Sequence, residues 1–73
     1  MLSYFTAIIE KEDDAYVALC PELDIVSQGK TVEASKDNLR EAIELFMECA
    51  SKEEIERRTH GETYVTQLAV SFG

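Results

Sequence analysis

Five carboxylates beyond Glu10 crowd the first third of this sequence: Glu12, Asp13, Asp14, Glu22 and Asp24. Acids in that number could hold a divalent cation, exchange protons in catalysis, or face a basic partner. Metal-dependent chemistry needs acids that converge from a strand middle and from neighbouring elements. The first predicted strand carries none before Glu10 at its end, and Glu12, Asp13 and Asp14 are neighbours in a charged turn. His60, the only histidine, lies between Thr59 and Gly61, with no second His or Cys at ligand spacing. It is expected in an exposed loop. Cys20 and Cys49 lack CxxC spacing and read as reduced, partly buried thiols. Gln28-Gly29-Lys30-Thr31 has the outline of a phosphate-loop end, but the earlier glycine of that motif is replaced by Asp24. No hydroxyl or thiol has a base implied beside it. The expectation is a non-enzyme without cofactor or metal, whose five acids face a basic partner.

Placing these residues requires the elements around them. Residues 2–10 are rich in aromatic and β-branched side chains on both faces, which suits a central strand. A charged turn at 11–14 then leads into a second strand at 15–20, giving an antiparallel hairpin. Pro21 has no amide to donate and should stop that strand. A short third strand over 23–28 ends at Gly29, a strand-to-helix turn, and Thr31 is placed to cap a helix. From Val32 to about Ala50, Leu39, Ile43, Phe46 and Ala50 form an apolar stripe, widened by Ala42 and Met47. The polar face is expected to pair Arg40 with Glu44, and Lys36 with Glu33. Ser51-Lys52-Glu53-Glu54 fits a capping box for a further turn or two through Arg58. Residues 62–72 alternate, with Tyr64, Thr66, Leu68, Val70 and Phe72 on one face, and read as a final strand.

The expected fold is therefore α+β: a two-layer βββαβ unit with a four-stranded mixed sheet and one main helix on one face. The strand order 3-2-1-4 keeps the first strand central and resembles a truncated ribonuclease H-like sheet. Phe5, Ala7, Ile9, Val17 and Leu19 are expected on the sheet face opposite Leu39, Ile43 and Phe46. The other face is left to solvent or to a second chain. That outline raises a nuclease reading, which the absence of converging carboxylates argues against.

Seventy-three residues make one domain, spanning 1–73, and a chain of this size buries only roughly 60% of its unfolded surface. Small domains with thin cores often gain stability by association, here into a dimer or tetramer. Fifteen acids against seven bases give a net charge of −8, which repels phosphate backbones and suits a basic protein partner. Residues 1–9 lack the basic start and long apolar run of a signal peptide. No apolar run approaches the roughly 20 residues that span a bilayer, so a cytoplasmic location is expected.

One resemblance gathers these pieces. The tyrosine-led second strand ending in Cys20-Pro21-Glu22-Leu23, the Ser27-Gln28-Gly29-x-Thr31 turn and Asn38-Leu39-x-Glu41-Ala42 resemble HicB-type antitoxins over about residues 4–48. Three stretches depart from that family's pattern. Lys30 stands where an acid is usual, Ala34-Ser35 where Glu-Ala is usual, and Asp13-Asp14-Ala15 where many members have a hairpin glycine. The resemblance implies a domain that binds a small basic HicA-type toxin, an mRNA-cleaving ribonuclease, and masks its active site. Full-length members commonly add a C-terminal DNA-binding domain. A chain ending at Gly73 is expected to hold the partner-binding part alone. The alternative is a stand-alone, orphan homo-oligomeric domain with another partner or none.

Overall fold

The computed structural model describes residues 3–59 and 61–73, so the expectation for His60 lies outside the described residues. Three strands come first: β1 (Ile8–Glu12), β2 (Ala15–Cys20) and β3 (Ile25–Gly29). Two helices follow, α1 (Val32–Cys49) and α2 (Lys52–Thr59). The strands form one antiparallel sheet in the order β1-β2-β3.

This βββαα order corrects the expected βββαβ unit. Residues 62–72 form no strand, and every residue from 61 to 73 is exposed. Alternating side chains create a strand only where a neighbouring edge completes the backbone hydrogen bonds. Residues 62–72 lie along no such edge of their own chain. The four-stranded mixed sheet, the order 3-2-1-4 and the truncated ribonuclease H-like outline fall with that strand. In place of one main helix, the capping-box turn after Ser51 extends into an eight-residue α2.

The first strand is also shorter than expected, beginning at Ile8 rather than near residue 2. Its register explains the start. Ile8 faces Leu19, and β2 ends one residue later because Pro21 lacks a ladder amide. Upstream residues have no strand opposite them. The Thr6 amide instead donates to the Glu22 carboxylate, at 3.0 Å to Oε2, and the Thr6 hydroxyl donates to the same oxygen at 2.7 Å.

Cross-strand pairing also sets which side chains share a face. Ile9 lies opposite Ala18, which lies opposite Ser27, and Cys20 lies opposite Ile25. These residues form the helix-facing side, because side chains alternate along each strand. Val17 and Leu19 therefore project from the other side, contrary to the expectation that grouped them with Ile9. The buried apolar residues are Ala18, Cys20, Leu23 and Leu39. Phe5, Ile9, Ile25, Ile43, Phe46 and Met47 pack around them. Full burial of Leu23 or Leu39 contributes about 1.5–3 kcal/mol, so each is a sizeable part of so small a core.

Local chemistry fixes α1 as expected. Thr31, in extended backbone, caps it by accepting the Ala34 amide at 3.0 Å. Gly29 owes its place to space: a Cβ there would lie 2.6 Å from the Ser35 amide nitrogen and 2.8 Å from the Ala34 carbonyl carbon. Ser35 is fully buried at that crossing, and its hydroxyl donates to the Val32 carbonyl at 2.9 Å. Asn38 donates from α1 to the Gln28 carbonyl of β3 at 2.8 Å. On the exposed face Arg40 pairs with Asp37 at 3.1 Å rather than with Glu44.

The helices break at Ala50, where the backbone turns extended. Ser51 then accepts the Glu54 amide at 3.1 Å, which makes the N-cap half of the expected box. At the far end of α2, Arg58 donates to the Leu23 carbonyl at 2.7 Å, lies 5.1 Å from the Phe46 ring centre and pairs with Glu54 at 3.4 Å.

Candidate functional site

The five acids singled out by sequence separate onto the two ends of β2. Glu12 closes β1 opposite Ala15, leaving Asp13 and Asp14 as a two-residue turn. Asp13 adopts φ 53°, a left-handed conformation that short polar side chains tolerate better than most. All three acids are exposed, and none takes part in an ion pair among the described residues. With Ala15, Val17, Gln28 and Lys30 they border a shallow depression of about 430 Å³. Glu12, Ala15, Val17 and Gln28 share the sheet face that the helices leave uncovered, as the cross-strand register requires. Among the described residues, Lys30 is the one base lining the depression.

Glu22 and Asp24 sit at the opposite end, in the β2–β3 connection. Asp24 is exposed with φ 55°, whereas Leu23 beside it is buried. Burial alone would raise the Glu22 carboxyl, but bonds from the Thr6 hydroxyl and amide, its own backbone and Cys20 hold it below the ordinary range. Its oxygens are already engaged by the chain. Glu22 latches the segment before β1 to the β2–β3 connection and so belongs to the scaffold.

The remaining reactive groups are similarly accounted for. Cys20 is buried in β2, and burial, reinforced by Glu22, pushes its thiol upward. Cys49 is exposed at the end of α1, and both thiols are free. In the phosphate-loop-like stretch, Thr31 is occupied as a cap and Gly29 as a close contact. Among the described residues, no three His, Cys, Asp or Glu side chains gather as a metal site. No helix of those residues is long and apolar enough to cross a membrane.

Two features escape a reading along the chain. On the uncovered sheet face, Ile8, Leu19 and Val26 stand side by side across the three strands, with Val26 57% exposed. The Cys20–Ile25 pairing across a four-residue connection sets this row, and that pairing was the signal needed to find it. The second feature is Arg58, two of whose partners lie 35 and 12 residues away, beyond any helical spacing.

Over 67 residues the chain is 33% identical to a UPF0150 protein of Helicobacter pylori, covering 90% of this chain and 93% of that one. A UPF0150 protein of Synechocystis sp. is 48% identical over 46 residues, covering 60% of this chain and 58% of that relative. No family model and no solved structure matches the sequence.

Proposed function

The chain belongs to the UPF0150 family, and we propose that this member is a non-catalytic, cytoplasmic antitoxin domain of the HicB-like kind. In this reading it captures a small basic HicA-type mRNA-cleaving toxin. The observation that carries the reading is the acidic β1–β2 end, where Glu12, Asp13 and Asp14 stand exposed and free of ion pairs among the described residues. A ribonuclease must present positive charge to hold an RNA backbone. An acidic surface that binds there competes with the substrate and blocks cleavage without chemistry of its own. The net charge of −8 steers the same encounter from a distance. Residues that carry the antitoxin resemblance, among them Gly29, Thr31 and Leu39, build the scaffold beneath that end.

The test is co-expression with a small basic protein encoded beside this one, followed by co-purification and an RNA-cleavage assay. The wild type should form a complex and suppress cleavage. Asp13→Lys combined with Asp14→Lys should weaken binding by about tenfold or more, with a smaller salt dependence. Unchanged neutralisation by that variant would remove the acidic end from the interface. If no basic protein co-purifies, the stand-alone oligomeric reading takes precedence, and the apolar exposure of residues 62–72 favours it.

A further inference from the structure

We propose that residues 62–72 form an exchanged arm, which adds as a strand to the outer edge of β1 in a second copy of this chain. The inference stands whether or not the partner toxin exists. Its first support is surface area. The chain exposes 6198 Å², whereas a folded monomer of 8.2 kDa is expected to expose about 4,500 Å². Two chains thus carry an excess of about 3,400 Å², within the range that obligate homodimers bury. The radius of gyration agrees, at 14.4 Å against about 11 Å expected for this length.

The excess is concentrated in the arm. Tyr64 is 80% exposed, Leu68 86%, Val70 68% and Phe72 94%, and these four share one face of an extended segment. Thr63, Val65, Gln67, Ala69 and Ser71 form the smaller opposite face. That alternation is the pattern of a half-buried strand, and water on both sides gives it nothing to bury against.

A matching vacancy lies at the sheet edge. Asn38 occupies the Gln28 carbonyl of β3, while among the described residues β1 pairs only with β2 and its other edge carries no strand. On that edge Ile8 and Ile9 carry no charge, nor do residues 4–7 before the strand, whereas Glu10, Lys11 and Glu12 charge its far end. Strand addition would satisfy the backbone groups of both segments and bring the apolar arm against a neighbouring sheet. Exchange of an identical segment between copies is a low-cost route to a dimer, because no new surface has to be devised.

Light scattering on the full chain at micromolar concentration should give twice the chain mass. Leu68→Lys combined with Val70→Lys should yield a monomer that keeps its far-ultraviolet helical signal, whereas Val26→Lys on the uncovered sheet face should leave the dimer intact. In mixed dimers of isotope-labelled and unlabelled chains, filtered nuclear Overhauser contacts should join Leu68 or Val70 of one copy to β1 of the other. A monomeric wild type would overturn the proposal. So would dissociation by Val26→Lys alone, or arm contacts confined to a single chain.

Discussion

At the scale of single residues, the decisive distinction is between acids that hold the chain and acids that face water. Glu22 holds it, through three contacts to Thr6 within 3.2 Å. Its carboxyl titrates below the ordinary glutamate range, so its contribution is present in full above that range. The contribution is lost as pH falls through the lowered folded-state value. Glu22→Gln should therefore cost on the order of 1 kcal/mol at neutral pH, and flatten the loss of stability towards acid. Urea midpoints measured at neutral and acid pH would check this, and an unchanged acid-side slope would refute the latch. The cysteines divide in the same way. Iodoacetamide should modify Cys49 in the native protein and reach Cys20 only after unfolding, because Cys20 is buried with its thiol held protonated. Equal labelling rates in the native state would contradict that burial. Thr31 was legible from sequence because its bond spans three residues, whereas the Glu22 bond spans sixteen and leaves no local pattern.

At the scale of elements, two contacts set how the helices sit on the sheet. Gly29 permits α1 to cross the end of β3, and a methyl group there meets backbone atoms that cannot rotate aside. Gly29→Ala should cost about 1–3 kcal/mol, as overpacking does. Gly61→Ala serves as its control, because an added Cβ there meets nothing within 4 Å. Arg58 performs the corresponding task for α2 through the Leu23 carbonyl and the Phe46 face. Arg58→Ala should cost about 1–3 kcal/mol in chemical denaturation. Arg58→Lys should recover only part of that, since an ammonium lacks the planar fork that serves both partners. Full recovery would mean that charge alone matters. The second strand and α1 could be read from the chain because Pro21, Thr31 and the Leu39–Ile43–Phe46 spacing act locally. The facing of Val17 and Leu19 could not, since it depends on which β1 residue stands opposite Ala18.

At the scale of the whole molecule, charge and apolar area pull in different directions. A net charge of −8 on 73 residues keeps copies apart at long range, whereas the proposed arm exchange would bring them together at contact. The alternation in residues 62–72 predicted a fourth strand that the chain does not form. That expectation failed because alternation specifies a face suited to burial without supplying a sheet to bury it. If the arm is exchanged, association is linked to folding and stabilises the folded chain by mass action. The thermal midpoint should then rise with protein concentration, by several degrees over a hundredfold range for a chain of this size. Salt should raise it further by screening the repulsion between the acidic copies. Leu68→Lys with Val70→Lys should remove the concentration dependence while leaving a lower, constant midpoint that reports the Leu23–Leu39 core alone. A wild-type midpoint that stays flat across that range would mean that the core supports itself without the arm, and the exchanged strand would have no thermodynamic role.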